Sequence, residues 1–195
     1  SMKLAFDTTA VYAEKENYTG PVDNIKVINY SDDVKFYLDS GYAGRYSIDE
    51  TTGVITLLTP VDYETTPVDT LKVTVKDTGN VAITGYIPIY VIDLNEKPSL
   101  NDTTLAFSEN SPVPTIVGTL KATDEDIKPD FNKNAYSIVE GSDMFTIDPN
   151  TGRITTSKIF DYETDSTEYV LKVVVADKTT PTLADTALVT IKLAD

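Results

Sequence analysis

Short runs of apolar and β-branched residues, separated by clusters of turn-forming residues, recur along the whole chain. Residues 71–75 and 171–175 are rich in valine and have the length of a strand. Residues 81–91 and 187–193 predict two further strands, and Pro88 places the first of them at a sheet edge or a bulge. No segment keeps an apolar period of 3.6 residues, so we predict an all-β protein.

The chain also contains an internal repeat. The pattern of residues 45–56 recurs at residues 144–155, and Asp62-Tyr63-Glu64-Thr65 recurs as Asp161-Tyr162-Glu163-Thr164, in both cases 99 residues later. A glycine stands at the same place in the turn of the first pair, where it supplies a positive φ. About seven short strands in a repeat of about 100 residues are typical of a β-sandwich. The sequence therefore predicts two tandem sandwiches.

The boundary between the two repeats is predicted within residues 92–100. There a strand-like segment gives way to Asp93-Leu94-Asn95-Glu96-Lys97-Pro98. Because Pro98 restricts the preceding residue to an extended conformation, the linker has little slack. We predict domains at residues 1–97 and 98–195.

The amino-acid composition argues against several classes of function. The 195 residues include 31 Asp or Glu against 16 Lys or Arg, and the net charge of −15 disfavours binding to nucleic acid. Cys and His are absent, which excludes disulfides, thiolate metal sites and the commonest general base. No apolar run approaches the ~20 residues of a membrane helix. We expect a protein that is not an enzyme, whose carboxylates either bind a hard cation or are solvated.

Several carboxylates stand in pairs that suit a shared cation. In an extended chain, the side chains of Asp62 and Glu64 point to one face, and Asp124-Glu125-Asp126 repeats this spacing. The linker adds Asp93, Asn95 and Glu96. Ca²⁺ takes 6–8 oxygen ligands, so it needs donors from several segments. A linker between two sandwiches can collect them from both domain ends.

The second half resembles a known family. It contains, in this order, Glu109-Asn110-Ser111-Pro112, Ala122-Thr123-Asp124-Glu125-Asp126, Tyr136-Ser137-Ile138, Asp161-Tyr162-Glu163 and Ala176-Asp177. This order is similar to that of the cadherin repeat, over nearly all of residues 101–195 and the later two-thirds of the first half. The resemblance implies two Greek-key, immunoglobulin-like β-sandwiches of an extracellular protein. Since the chain has no Trp, it resembles cadherins that do not exchange strands, such as protocadherins or other atypical members.

The resemblance also implies about three Ca²⁺ ions at the linker and a set of ligands. Glu14 matches the early glutamate of the family, with Glu16 as the alternative, and a backbone carbonyl is expected from Asn132, with Asn134 as the alternative. Leu94 and Lys97 would contribute only backbone oxygens. The complete implied set is Glu14, Asp62, Glu64, Asp93, Leu94, Asn95, Glu96, Lys97, Asp124, Asp126, Asn132 and Asp177.

The two chain ends differ in this respect. The first repeat has only Tyr30-Ser31-Asp32-Asp33 in place of the acidic Ala-Thr-Asp motif, and Asp77 is a lone carboxylate. We therefore expect no calcium site at its free end, as in an outermost repeat or in a repeat below a calcium-free, bent linker. At the far end of the second repeat, the resemblance implies half of a further site, made of Glu109, Asp161, Glu163 and Asp195.

The implied function is that of a calcium-dependent adhesion ectodomain fragment. Its partners would be another cadherin or cell-surface protein, homophilic or heterophilic, and adjacent repeats, without direct membrane contact. Asn-x-Ser/Thr sequons at Asn17, Asn29 and Asn101 fit a secreted glycoprotein.

Three alternatives remain. The repeats could be spacers, or they could bind carbohydrate through the tyrosines of the first domain, Tyr12, Tyr18, Tyr30, Tyr37 and Tyr42. A glycosidase using Asp62 and Glu64 is disfavoured, because neighbours on one face lie too close to flank a sugar.

Overall fold

The structure, a computed structural model, describes residues 3–30, 33–141 and 143–195. The chain forms two compact units, Ser1–Leu94 and Asn95–Asp195, which are described separately below as the first and second domain. Assignment of the repeats to residues 1–97 and 98–195 stays a prediction. Ser31 and Asp32, part of the weak acidic motif discussed above, lie outside the described residues.

The first domain is a sandwich of a four-stranded and a three-stranded sheet. The four-stranded sheet has the order β2-β9-β8-β5, the three-stranded sheet has the order β3-β7-β6, and β1 pairs with β4. The strands are β1 Ala5–Phe6, β2 Tyr12–Lys15, β3 Gly20–Asn24, β4 Val27–Ile28, β5 Val34–Leu38, β6 Tyr46–Ile48, β7 Val54–Leu57, β8 Val68–Asp77 and β9 Ala82–Ile92, with one short 3₁₀ helix at Ser40–Tyr42.

The second domain repeats this arrangement. Its sheets have the orders β10-β16-β15-β12 and β11-β14-β13, and in each domain an early strand pairs in parallel with the last one. The strands are β10 Thr103–Ser108, β11 Ile116–Thr119, β12 Asn134–Glu140, β13 Phe145–Ile147, β14 Arg153–Thr156, β15 Glu168–Asp177 and β16 Ala184–Ala194. The predicted all-β class, with two tandem sandwiches, is confirmed.

Strict alternation of buried and exposed residues builds each core. In β8, Leu71, Val73 and Val75 are fully buried, and the matching residues of β15 are equally buried. Because successive side chains of a strand point to opposite faces, the residues between them lie on the outer face. Each sandwich thus buries one face of its four-stranded sheet and leaves the other open to solvent.

Pro88 lies in β9, which has neighbours on both sides rather than lying at the sheet edge. Its local surroundings explain why proline is tolerated. The parallel pairing of β9 with β2 begins at Ile89, opposite Tyr12, so at Pro88 the strand is paired only with β8. The missing N–H of proline therefore removes no ladder bond on the β2 side.

The hairpin glycines behave as predicted. Gly53 and Gly152 have φ values of 71° and 73°, in the left-handed region that favours glycine. Gly152 is the more constrained, because a Cβ there would stand 2.5 Å from the carbonyl oxygen of Leu120. The N–H of Leu120 in turn donates to the carbonyl of Gly152 at 2.9 Å.

We expect Gly152→Ala to lower the unfolding free energy of the second domain by about 3 kcal/mol, from backbone strain and the clash with the Leu120 carbonyl. Gly44→Ala is the matched control, since Gly44 has φ 90° but open space around a Cβ. That variant should show only the backbone cost of about 1–2 kcal/mol. Urea unfolding of both variants measures the difference, and equal losses would mean that the clash relaxes freely.

Candidate metal centre

The paired acids of the first domain lie in a turn, so the extended geometry expected from the sequence is wrong. The N–H of Glu64 donates to Oδ1 of Asp62 at 2.9 Å, and the N–H of Thr66 donates to the carbonyl of Asp62 at 2.8 Å. Aspartate side chains commonly cap the backbone two residues on, which folds the chain locally. The turn keeps both carboxylates at one end of the sandwich.

The same local bond recurs at the other two acidic pairs. The N–H of Asp126 donates to Oδ1 of Asp124 at 3.1 Å, and that of Glu163 donates to Oδ1 of Asp161 at 3.0 Å. Each Asp-x-acid motif thus uses one carboxylate oxygen for its own turn. The remaining oxygens are available to other partners.

Glu16, rather than Glu14, lies with these acids. Glu16 is 1% exposed, and Glu16, Asp62 and Glu64 each offer an oxygen within 4.8 Å of the others. Its carboxylate accepts the N–H of Tyr63 at 2.9 Å and the N–H of Leu94 at 2.6 Å. Glu14 instead accepts the hydroxyl of Tyr46 at 3.4 Å.

A signal for Glu16 is present in the sequence. The dipeptide Glu16-Asn17 recurs as Glu109-Asn110, and both asparagines have positive φ, 59° and 56°. Glu109 likewise accepts the N–H of Tyr162 at 2.9 Å. The two glutamates therefore play the same structural role in the two domains.

Glu64 has a raised pKa because it is buried among other carboxylates. Its two carboxylate oxygens are buried and have no hydrogen-bond partner among the described residues. Burial raises the pKa of Glu64 to about 7, and the carboxylates of Asp62, Glu16 and Asp93 act in the same direction. Each of these causes disfavours the ionised form. A cation beside Glu64 would relieve all of them.

The second domain holds another set of oxygen ligands, beginning at the linker. The side-chain amide of Asn95 donates to Oδ1 of Asp177 at 2.8 Å and to Oγ1 of Thr180 at 3.2 Å. The backbone N–H of Glu96 donates to Oδ2 of Asp126 at 2.8 Å. Asp126 and Asp177 are 3% and 0% exposed. The linker residues are therefore anchored on the two most buried aspartates of this domain.

These aspartates also have unused oxygens. Oδ1 of Asp126 and Oδ2 of Asp177 are buried without a hydrogen-bond partner in the described ranges, as is Oδ1 of Asn95. Burial raises the pKa of Asp126 to about 6, and the neighbouring carboxylates of Asp124 and Glu96 add to the effect. Buried polar groups are normally hydrogen-bonded, so such a concentration of orphaned oxygens calls for a physical cause.

Of the two asparagines considered in the following loop, Asn134 lies beside the acids. Its side-chain amide donates to Oδ2 of Asp124 at 3.3 Å, and its Oδ1 is buried without a partner in the described part of the chain. Asn132 is exposed, and its N–H donates to the carbonyl of Lys128 at 3.2 Å.

The flanking linker residues play lesser parts. Leu94 contributes its N–H to Glu16, as noted above. Lys97 is exposed. Hydrogen bonds from the N–H groups of Leu100 and Thr186 hold the pKa of Asp185 below its usual range, and the charge of Lys97 contributes to that shift.

A third group of acids lies at the far end of the second domain. Glu109, Glu163 and Asp195 each offer an oxygen within 4.8 Å of the others. These three match three of the four residues expected there, and the fourth, Asp161, accepts the N–H of Glu163. The group is more exposed than the linker sets.

The five tyrosines considered as a sugar platform do not share one face. Tyr12 is buried, with its hydroxyl accepting the N–H of Lys26 at 2.9 Å, whereas Tyr37 stands on the outer face of β5. A platform needs several exposed rings side by side, so this arrangement gives the carbohydrate alternative no support.

The metal ligands that the described side chains of these sites can provide are oxygen atoms, since the chain has no His or Cys. Carboxylate and amide oxygens are the donors that Ca²⁺ prefers, and the flexible number of its ligands suits a mixed set of this kind. The oxygens of Glu64, Asp126, Asp177, Asn95 and Asn134 are acceptors without donors among the described residues, and a cation would satisfy such acceptors. The residues present therefore fit a Ca²⁺ centre.

Comparison with known proteins identifies the family. A family model described as "Cadherin domain" matches residues 103–194. Human Protocadherin Fat 4 is 37% identical over 138 residues, 67% of this chain and 3% of that protein. Mouse Cadherin-23 is 33% identical over 194 residues, 92% of this chain and 6% of that protein. The chain belongs to the cadherin superfamily.

Solved cadherin structures agree with the fold. Human Protocadherin-24 EC1-2 matches with a TM-score of 0.80 at 19% identity and covers 100% of both chains. Mouse Cadherin-23 EC22-24 matches with a TM-score of 0.73 at 23% identity, covering 98% of this chain and 64% of that one. The two domains are therefore tandem cadherin repeats, as the resemblance implied.

Family membership defines the general setting. Cadherins are adhesion molecules of the cell surface rather than enzymes, and their repeats are extracellular. Cadherin repeats in general bind Ca²⁺. This cadherin chain spans only 3% to 6% of the length of the curated relatives described above. In the described part of the chain, no helix is long and apolar enough to cross a membrane.

Proposed function

We propose that this chain is a calcium-binding pair of repeats from an adhesion ectodomain, in which Ca²⁺ at the linker stiffens the connection between the domains. The supporting observation is that buried oxygens without partners occur in both domains next to the same short linker. Leu94 is hydrogen-bonded to Glu16 in the first domain, and its neighbour Asn95 is hydrogen-bonded to Asp177 in the second.

The proposed ligand set differs from the sequence expectation at two positions. Glu16 replaces Glu14, because it lies with Asp62 and Glu64. Asn134 joins the set in place of Asn132, because it lies beside Asp124. The set is then Glu16, Asp62, Glu64, Asp93, Leu94, Asn95, Glu96, Lys97, Asp124, Asp126, Asn134 and Asp177, with Leu94 and Lys97 offering backbone oxygens only.

Charge balance supports a count of three ions. The eight carboxylates of the set carry about eight negative charges, and three Ca²⁺ ions would bring about six positive ones. Fewer ions would leave buried like charges facing each other, which is costly in a weakly solvated site. At the turn between β8 and β9 of the first domain, Asp77 accepts the N–H of Val81 and is not buried like Asp177. We propose no calcium site there.

Calcium titration by calorimetry tests the site directly. We expect saturable binding of about three ions with dissociation constants on the order of 10⁻⁴–10⁻³ M, the usual range of extracellular modules. Glu64→Gln should weaken at least one of these sites about tenfold or more. Glu50→Gln, which removes a charge from an exposed position of the same domain, should bind like the wild type. Absence of binding heat in all three proteins would contradict the proposal.

Stiffening is tested separately by small-angle X-ray scattering. Metal bridging two ligand sets removes conformational freedom from the linker, so we expect the distance distribution to narrow when EDTA is replaced by 10 mM Ca²⁺. The Glu64→Gln protein should need more Ca²⁺ for the same change. An unchanged profile at a concentration where calorimetry shows saturation would leave the calcium site intact but remove its mechanical role.

Adhesion by the full protein follows as part of the proposal. The partner would be another cadherin or a different cell-surface protein, and adjacent repeats would contact the chain ends. The acidic group of Glu109, Glu163 and Asp195 supports a further linker site with a following repeat. A spacer role is the second candidate, favoured if neither domain binds a partner in cell-aggregation assays.

A further inference from the structure

The outer face of the four-stranded sheet in the first domain departs from the acidic character of the chain. Residues 1–94 contain seven Lys or Arg and fourteen Asp or Glu. Yet the strand residues on this face include four lysines and no carboxylate, as far as the structure describes them. We name this surface the lysine face and define it by Lys15, Lys35, Lys72, Lys76, Tyr86 and Tyr90.

Three of the four lysines have no ion-pair partner in the part of the chain that the structure describes. Within the described ranges, Lys15, Lys72 and Lys76 form no ion pair with a carboxylate; the ammonium of Lys76 lies 5.3 Å from the ring centre of Tyr37. Lys15 and Lys35 lie on edge strands, where lysine discourages pairing with another chain. Lys72 and Lys76 lie on the interior strand β8, where that explanation does not apply.

The second domain provides an internal comparison. Lys72 stands opposite Tyr86, and the matching pair is Lys172 opposite Leu188. Lys172 is neutralised, because its ammonium lies 3.0 Å from Oε1 of Glu140. The first domain therefore has a positive charge beside an exposed tyrosine, where the second domain has an ion pair beside a leucine.

A neighbouring pair shows the same contrast. Val68 stands opposite Tyr90 in the first domain, whereas Glu168 stands opposite Lys192 in the second. Tyr86 is 68% exposed, Tyr90 47% and Val68 42%. The lysine face thus combines an apolar, aromatic centre with positive charge, and tyrosine is enriched where proteins bind proteins.

We propose that the lysine face docks a partner protein, other than this chain, whose surface carries carboxylates around an apolar centre. Charge complementarity with the lysines of this face selects an acidic partner. Pairing of this face with itself would place lysines against lysines. A second copy is disfavoured more generally, because two chains of net charge −15 repel each other.

The size of the face indicates a weak contact. Its longest strands have 10 and 11 residues, about 33 Å, and four strands span about 15–19 Å, so the face measures roughly 500 Å². Stable interfaces bury about 800 Å² per partner. We therefore expect a transient contact that gains strength by repetition along a cell surface.

A labelled Glu–Tyr random copolymer is a suitable probe, with fluorescence anisotropy as the readout for the whole chain. We expect binding that weakens with salt, and at least a fivefold loss in the double variant Lys72→Ser, Tyr86→Ser. The matched control is Lys172→Ser, Leu188→Ser, which should bind like the wild type. Amide NMR shifts on adding the copolymer should be concentrated in residues 68–76 and 82–92.

Other outcomes overturn the proposal. The proposal fails if the copolymer does not bind, or if both double variants lose the same affinity. It also fails if heparin or phosphatidylserine vesicles bind more tightly than the copolymer. Self-association in sedimentation that requires Lys72 and Tyr86 would contradict it as well. The experiment is run in EDTA and in Ca²⁺, with equal results expected, because the varied residues are not proposed metal ligands. Failure here would therefore leave the calcium proposal untouched.

Discussion

Asp126→Asn is expected to change the stability of this cadherin chain in opposite directions with and without calcium. In EDTA at pH 7.5, the variant should melt at a higher temperature than the wild type. In 10 mM Ca²⁺ it should melt at a lower one. Both effects come from the same atom, the buried Oδ1 of Asp126 that has no hydrogen-bond partner among the described residues.

The effect in EDTA follows from the cost of a buried charge. Because burial and neighbouring carboxylates raise the pKa of Asp126 to about 6, the ionised form at pH 7.5 destabilises the folded state. This cost is present above the folded pKa and is relieved as the pH falls through it. Asparagine keeps an oxygen for the N–H of Glu96 and removes the charge. The gain should shrink as the pH falls below 6 and vanish only near pH 4, where an aspartate of the unfolded chain is itself protonated.

The effect in Ca²⁺ follows from mass action. A ligand at 100 times its dissociation constant stabilises the native state by about 2.7 kcal/mol per site, which for a domain of this size raises the melting temperature by about 10 °C or more. Loss of the Asp126 charge should remove more than half of this rise.

Glu125→Gln is the matched control for this experiment, since it removes the same charge from the exposed neighbour. It should follow the wild type in both buffers. An Asp126→Asn protein that gains as much from Ca²⁺ as the wild type would mean that Asp126 is not a ligand. A variant that is less stable in EDTA would mean that the carboxylate serves mainly as a structural acceptor.

The position of the second-domain aspartates near the linker could be predicted from the sequence, because the repeat itself carries the information. Asp124, Asp126 and Asp177 stand in motifs that recur in the family order, and the structure places Asp126 and Asp177 at the linker residues. The valine-rich runs also predicted the strands β8 and β15. These features depend on local patterns of period two, which a sequence displays directly.

The glutamate of the first domain was harder to place, because its position depends on where a strand ends. Glu16 and Glu109 are each the first residue after a strand, β2 ending at Lys15 and β10 at Ser108. Sequence patterns locate strand ends only to within a few residues, since the last pairs of a ladder are decided by neighbouring strands. The family resemblance therefore implied Glu14 first and Glu16 as the alternative, whereas Glu14 is buried and accepts the hydroxyl of Tyr46.

The turn geometry of the acidic pairs could not be predicted from the sequence pattern either. Asp62 and Glu64 were expected on an extended chain, but the side chain of Asp62 caps the N–H of Glu64 and forms a turn. Aspartate side chains often bond to nearby backbone N–H groups and so favour turns. The hydrogen bond from the N–H of Tyr63 to Glu16 also holds this turn. The lysine face could not be predicted from the sequence either, because four strands from different parts of the first domain form it.

Phe160→Ala is expected to have the largest effect on stability that does not depend on metal. Phe160 is 1% exposed and lies among the rings of Phe107, Phe145 and Tyr169, with centroid distances of 5.0, 5.4 and 5.5 Å. Removing a fully buried phenylalanine costs the transfer free energy of the ring and that of the cavity left behind. Losses of this kind amount to about 3–5 kcal/mol.

The change should be confined to the second domain and independent of calcium. Urea unfolding followed by NMR peaks separates the domains: the methyl groups of Val173 should lose their native signal at a lower concentration, and those of Val73 at an unchanged one. Ile159→Ala, at the 58% exposed neighbouring position, is the control and should cost less than about 1 kcal/mol.

The aromatic cluster also supports the chemistry at the far end of this domain. Phe160 directly precedes Asp161, and its carbonyl accepts the N–H of Asn110, next to Glu109, at 2.8 Å. A collapsed cavity at Phe160 would therefore shift the backbone that holds these acids. We expect Phe160→Ala to disturb the amide NMR signals of residues 109–110 and 161–163, while those of Glu96 and Asp126 stay unchanged. If both groups of signals shift together, the core of the second domain responds as one unit and the aromatic cluster has no local role in positioning.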